Sequence, residues 1–301
     1  MKTVTYAVEQ LDTVTMAPGS PLDGLALMSP YVWKEAGAYR MMVRGVRDPL
    51  GPHDPTGVIG SAYSYDGLAF ESDPKLSITP DTAPSGEDAG GCEDPTVVVT
   101  KQGQYLIYYT GVDAGRTQGR MLVASGPSLT KLIKQRVALK APPDEGNIKE
   151  ATVAQTAHGD WRLFYEYAAY DASRIGMASG PTADGPWTTQ ADPFTVRADS
   201  WDDWHLSTGP IIRIDGDDPV MFYNGATVDA RWRIGWISFD PDFKRVTGRG
   251  LEPVVLPPPA KSRAATDIAF AASTVAEGGN IALYYSLEDS VLRRALVKRY
   301  A

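Results

Sequence analysis

Acidic residues recur at one phase of this chain. Asp94 opens the run DPTVVV, Glu150 opens EATVA and Asp267 opens DIAFA. Carboxyl groups brought together from separate strands repel one another and lose water, which raises at least one pKa toward neutrality and makes a proton donor. Two carboxyl groups facing each other across a sugar are the equipment of glycoside cleavage: one protonates the leaving oxygen while the other activates the nucleophile. Each residue also has a plainer explanation. Asp94 before Pro95 fits a turn, Glu150 beside Lys149 fits a surface ion pair of little energetic weight, and Asp267 fits a strand cap. Their matching phase in three segments favours a common site.

A second group of residues offers aromatic faces with polar handles. Tyr109 leads into Thr110-Gly111-Val112-Asp113, and Tyr223 is followed by Asn224 and Gly225. Tyrosine combines an apolar face with a donor, so both are candidates for ligand hydroxyls, although most tyrosines of such strands are packing. The segment Trp201-Asp-Asp-Trp204-His205 offers indole faces for sugar C–H surfaces, or equally an ordinary anchor beneath a long loop. Cys92 lies beside Glu93 and Asp94, which would raise a thiol's pKa, so it reads as a small turn residue. His53, His158 and His205 show no metal-ligand spacing, and neither a metal nor another cofactor is expected.

The elements that must position these groups repeat. The pattern is a short apolar run, a Gly-containing turn, a run rich in aromatic and β-branched residues, and a third small-residue strand. It recurs over Ser29 to Phe70, Asp94 to Leu132, Glu150 to Trp187, Gly209 to Val246 and Asp267 to Val297. Equivalent second-strand positions at Tyr39, Tyr105, Trp161, Val220 and Ile281 stand roughly 56 to 66 residues apart. Short alternating strands bounded by turn residues give four strands per copy. The sequence therefore predicts an all-β chain, a five-bladed β-propeller filling residues 1–301 as one domain. An odd number of equal units disfavours paired sandwiches. Residues 1–23 read as a leader, with Val4 to Val8 as the expected strand that closes the ring on the last blade. In a propeller the innermost strands line the axis, so Ser29, Asp94, Glu150, Thr208 and Asp267 should converge there.

Composition narrows the partners. A net charge of −8 without a basic run argues against nucleic acid and leaves a small neutral or weakly charged ligand. One cysteine excludes an internal disulfide and suits a reducing compartment. No apolar stretch approaches the length of a membrane span, and MKTVTYAVEQ lacks a signal core, so a cytoplasmic location is expected. Oligomeric state is not read from the sequence.

At GGCEDPTVV (90–98), Tyr108-Tyr109-Thr110-Gly111, DARWRIGWISFDPDF (229–243) and ALYYSLEDSVLRRALV (282–297), the chain resembles glycoside hydrolase family 130. That resemblance implies a five-bladed propeller acting on β-mannosides, as an inverting phosphorylase or as a hydrolase. It makes Asp94, within Glu93-Asp94-Pro95, the proton donor acting through a hydroxyl of the bound sugar. Arg44 and Ser64-Tyr65-Asp66-Gly67 match elements that shape the sugar pocket, and Tyr223, Asn224, Asp229 and Arg231 match a fourth-blade phrase. The phosphorylases of the family carry arginines where this chain has Thr96 and Glu166, and losing two guanidinium forks weakens the grip on phosphate. Lys149, His205, Tyr223 and Arg231 remain as residues able to hold an anion.

Water is therefore the expected acceptor, and an inverting hydrolase holds its two carboxyl groups about 6.5–9.5 Å apart. Glu150 is the first choice of base, with Asp267 or Glu166 in reserve. Propeller glycosidases of family 43 suggest the reverse, with Glu150 as acid and Asp94 tuning it, but Ser29 stands where their aspartate base would be. Three other readings stand beside a hydrolase of β-mannoside-type oligosaccharides: an inverting β-mannoside phosphorylase that uses inorganic phosphate, a non-catalytic sugar-binding propeller, and a protein-interaction propeller. The last lacks the GH and WD dipeptides of its group.

Overall fold

The computed structural model describes residues 4–141, 146–214, 216–259 and 267–300, so Met1 to Thr3 of the expected leader lie outside the described residues. Among the described residues all regular structure is β-strand, and no helix is long and apolar enough to cross a membrane. Consecutive strands pair antiparallel into successive sheets. The first holds Ala26–Glu35, Ala38–Val46, Val58–Ser64 and Ala69–Ser72; the second Gly91–Val99, Tyr105–Val112, Gly119–Gly126 and Ile133–Leu139. The third holds Gly146–Gln155, Trp161–Ala169, Ala172–Gly180 and Thr188–Thr189; the last holds Ala269–Glu277, Asn280–Leu287 and Val291–Tyr300. Thr5–Thr13 pairs antiparallel with Val291–Tyr300, and Thr15–Met16 then runs parallel to Ala69–Phe70, so the N-terminal segment joins the last sheet to the first.

Residues 205–249 depart from the regular pattern. They form two short ladders, one of His205–Ser207, Asn224–Ala226 and Arg233–Ile234, the other of Ile211–Ile212, Val220–Met221, Ile237–Phe239 and Val246–Arg249. The break falls at Thr208-Gly209-Pro210, where proline lacks a ladder donor. Gly209 also packs so tightly that a Cβ there would lie 1.8 Å from the Phe222 carbonyl oxygen. The fourth inner strand therefore begins at His205, ahead of the expected Gly209.

The core lies between sheets, and period-two alternation puts it there. Adjacent residues on each second strand enter opposite cores. Met42 and Tyr109 pack between the first and second sheets, Tyr108 and Tyr165 between the second and third, and Phe164 and Tyr223 between the third sheet and the 205–249 ladders. Phe222 and Tyr285 pack between those ladders and the last sheet, and Tyr284 and Met41 between the last sheet and the first. Burying each such side chain contributes roughly 1.5–3 kcal/mol. Tyr108, Tyr109, Tyr223 and Tyr284 have no exposed surface, so Tyr109 and Tyr223, expected as ligand contacts, are core residues.

Buried polar side chains tie each inner strand to the next. Thr96 donates to the Ala151 carbonyl at 2.5 Å and Thr152 to the Gly209 carbonyl at 2.9 Å. Asn224 donates to the Thr208 carbonyl at 3.0 Å and accepts from the Ala271 N–H at 2.7 Å. Ser273 accepts from the Val32 N–H and donates to the Pro30 carbonyl, both at 2.7 Å, which returns the circuit to the first sheet. Asn224→Ala strands the Ala271 N–H and the Thr208 carbonyl without that partner, and should cost about 2–4 kcal/mol in urea unfolding. A loss near zero would show that the amide is not a tie.

Candidate active site

Three inner strands carry a bulge at the same phase. Ladder register shifts between Met28 and Tyr31, between Glu93 and Thr96, and between Lys149 and Ala151. The residues in those bulges, Ser29, Asp94 and Glu150, take left-handed backbone angles with φ of 52°, 50° and 46°. Such angles cost on the order of 1 kcal/mol for a non-glycine residue and re-aim its side chain. Pro30 and Pro95 follow two of the bulges, where no ladder donor is needed. The bulge of the last sheet falls between Ala271 and Ser273, so Asp267 is out of phase with the other two carboxylates. Asp267 instead pairs with Arg231 Nη1 at 2.7 Å, and its carbonyl accepts from the Trp232 N–H at 3.1 Å.

Asp94 and Glu150 meet. Asp94 Oδ1 accepts from Ser29 Oγ at 2.7 Å and from Arg44 Nη1 at 3.1 Å. Arg44 also reaches Glu93 Oε1 at 2.8 Å and is anchored by the Thr56 carbonyl at 2.7 Å, while Lys149 Nζ lies 3.2 Å from Glu93 Oε2. Burial pushes the Asp94 carboxyl up, but Arg44, Lys149 and the Ser29 hydroxyl overcome it and hold Asp94 below the usual range. Glu150 goes the other way: burial, the Asp94 charge, Glu166 and a hydrogen bond with Asp94 push it well above its ordinary value, with Arg44 only partly opposing. The shifts run in opposite directions, so of the two neighbouring carboxyls Glu150 is the one that holds its proton to higher pH. Glu166, the cross-strand partner of Lys149, is raised mainly by burial, with Ser207, Lys149 and Ser173 opposing; Ser173 Oγ donates to its Oε1 at 2.9 Å.

Other expected contact residues have structural partners. Tyr109 donates to buried Asp88 at 2.9 Å, Tyr223 donates to buried Asp202 at 2.6 Å, and Asn224 bridges strands as described, so none of the three faces a ligand. Asp66 accepts from Ser64 and from the Leu68 and Ala69 N–H groups, Asp113 accepts from the Thr117 and Gln118 N–H groups, and Asp229 accepts from Thr227. These three aspartates organise turns. Trp201 is an anchor, stacked on Tyr223 at 5.6 Å, whereas Trp204 is 38 % exposed. His205 Nδ1 accepts from the Ser173 N–H at 3.1 Å, and burial together with Arg174 lowers its pKa. Thr96 is buried and bonded to Ala151. Among the described residues no group of three or more His, Cys, Asp or Glu side chains is placed to hold a metal.

Asp289 escaped the sequence reading. It lies in the turn between Asn280–Leu287 and Val291–Tyr300, at φ 50°, where burial raises its carboxyl, Arg44 opposes and Asp94 adds to the rise. A signal existed in Leu287-Glu-Asp-Ser290, a polar turn at the C-terminal end of the last second strand, the same end that carries Glu166 in the third sheet.

No protein-family model matches this chain, and no curated protein sequence matches it. Solved structures do. One, from work on a family 130 of mannoside phosphorylases that contains glycoside hydrolases targeting β-1,2 mannosidic linkages in Candida mannan, is 20% identical over 96% of this chain and 94% of its own, with a TM-score of 0.76. A β-1,2-mannobiose phosphorylase from Listeria innocua is 17% identical over 99% and 97%, with a TM-score of 0.74. A glycosyl hydrolase from Bacteroides ovatus is 23% identical over 90% and 84%, with a TM-score of 0.75. The class this defines is one of fold: an all-β, propeller-like ring of sheets. The resemblance to glycoside hydrolase family 130 carried by the motifs thus extends to the backbone as a whole.

The shift at Glu150 has a consequence for stability. Its folded carboxyl is raised above the ordinary 4.5, so the native state keeps a proton that the unfolded chain releases. Glu150 is therefore neutral in its effect at low pH and destabilises progressively as pH rises above about 4.5, until it ionises in the folded state as well. Glu150→Gln keeps a donor toward Asp94 and removes the titration. The variant should melt several degrees above the parent at about pH 7 and together with it near pH 4, as read by calorimetry.

Proposed function

We propose that this protein is an inverting glycosidase of β-mannoside-type oligosaccharides, a single five-bladed β-propeller in which residues 205–249 make one kinked blade. The observation that carries the reading is the placement of Asp94 and Glu150 in matching bulges of successive inner strands, their carboxyls shifted in opposite directions, beside a third, raised carboxyl at Glu166. Glu150 gives its proton to the glycosidic oxygen as the bond to the anomeric carbon breaks. Glu166 takes a proton from the water that attacks the opposite face, and its raised carboxyl suits a general base. Asp94 stays ionised and steadies the positive charge growing on the sugar ring. This assignment moves the donor from Asp94, the expectation from the motif, to Glu150.

Water is favoured over phosphate because the nearby cations have partners. Arg44 is shared between Glu93, Asp94 and the Thr56 carbonyl, Lys149 faces Glu93, and Arg231 is bound to Asp267. His205 accepts a backbone hydrogen bond and Tyr223 is sealed in the core, so neither is a free anion ligand. A phosphate dianion entering here would face Glu166, and among the described residues the guanidinium at the pair, Arg44, is already committed.

Incubation with β-1,2-mannobiose and longer manno-oligosaccharides should release free sugar at the same rate with and without phosphate, and fresh product should show the inverted anomer by NMR. Sugar-1-phosphate as the main product would overturn hydrolysis. Glu150→Gln and Glu166→Gln should each lower kcat by about 10²–10⁴-fold. Full activity in Glu150→Gln would remove it as the acid.

A further inference from the structure

Ser29 is held at both ends in the bulge of the first sheet. Its N–H donates to Ser286 Oγ of the last sheet at 2.7 Å, and its hydroxyl donates to Asp94 Oδ1 of the second at 2.7 Å. Ser286 is buried, which fixes the Ser29 backbone, and the left-handed angle turns the hydroxyl to Asp94. With Arg44 Nη1 at 3.1 Å, Asp94 Oδ1 receives two donors, which leaves it poorly placed to carry a proton itself. Glu150 occupies the matching left-handed bulge of the third sheet, and burial together with the Asp94 charge raises its carboxyl. The charged and titratable groups around the pair are Arg44 from the first sheet, Glu93 from the second, Lys149 and Glu166 from the third and Asp289 from the last.

We propose that Ser29 is a positioning residue for the proton donor: by giving Asp94 Oδ1 a second hydrogen bond beside that of Arg44, it keeps Asp94 ionised and leaves the proton to Glu150 in the neighbouring bulge. Its effect on turnover rests on the glycosidase reading, whereas the place of the proton does not. Ser29 acts through Asp94 and is not itself a catalytic residue. The relay from Ser286 through Ser29 also makes the donor depend on the meeting of the first and last sheets.

Infrared spectra of protein labelled with ¹³C in either Glu or Asp side-chain carboxyls read the proton directly. At neutral pH the parent should show a protonated-carboxyl band from the Glu label that Glu150→Gln removes, with no matching band from Asp94. Ser29→Ala and Ser29→Gly should weaken the Glu150 band and raise one in the Asp label, and Asp94→Asn should abolish the latter. Glycine accepts the left-handed angle, so Ser29→Gly separates loss of the hydroxyl from loss of fold. On substrate, both variants should lose about tenfold in kcat with KM within about twofold. Migration of the band supports the proposal whether or not a sugar is turned over. A Glu150 band unchanged in a folded Ser29→Gly protein, or absent from the parent, overturns it.

Discussion

Two adjacent carboxylates, Glu93 and Asp94, are buried side by side, at 2 % and 5 % exposure, and their neutralisation is the constraint around which the site is arranged. Unpaired, each would cost several kcal/mol. One guanidinium meets both: Arg44 reaches Glu93 with one nitrogen and Asp94 with another, while the Thr56 carbonyl takes further donors. The planar fork makes this possible where a lysine could not. The loop behind it must come close, and it does so at Gly57. A Cβ there would stand 2.5 Å from the Cys92 carbonyl oxygen and 2.9 Å from Arg44 Nε. A side chain at position 57 would displace the guanidinium that both carboxylates require.

The ring supplies what no single sheet could. Left-handed bulges at Ser29, Asp94 and Glu150 are locally unfavourable, and they persist because neighbouring sheets over-determine them. A repeated tether stiffens the outer parts. In the second sheet Tyr109 and Lys134 close on buried Asp88, and in the 205–249 ladders Tyr223 and Arg249 close on buried Asp202. Each aspartate precedes its inner strand and each tyrosine lies on, or directly before, the strand paired with it, so the tether joins the entering loop to the chain behind it. Polar side chains that look like ligand contacts in sequence are thereby consumed within the scaffold.

This consumption explains what was legible in the chain. The spacing of apolar runs and turns gave the all-β repeat, and the shared phase of Asp94 and Glu150 survived because a bulge occupies that phase in both strands. Asp267 failed the same test because its strand bulges later, after Ala271, a shift of ladder register that no residue type announces. Tyr109, Tyr223 and Asn224 were misjudged for a physical reason: a tyrosine or asparagine beside a polar loop has the same composition whether it serves a ligand or a buried aspartate. Asp289 was missed because a hairpin turn in the last sheet gains significance only when the ring brings it to Arg44 and Asp94.

The same electrostatics bear on the acceptor. Evenly matched charges at Glu93, Asp94, Arg44 and Lys149 leave the carboxyls of Glu150, Glu166 and Asp289, each raised by burial, as the unmatched members of the cluster. Whatever part of this surplus is ionised repels an incoming dianion at short range, where protein screens charge far less than water does, and none of it holds one. On the proposed reading a neutral water meets no such barrier and finds in Glu166 a base whose affinity for a proton burial has already increased. On the proposed reading, Glu166, standing where the resemblance to family 130 implies an arginine, does two things at one position: it withdraws the fork that would hold an anion and supplies a group to deprotonate water.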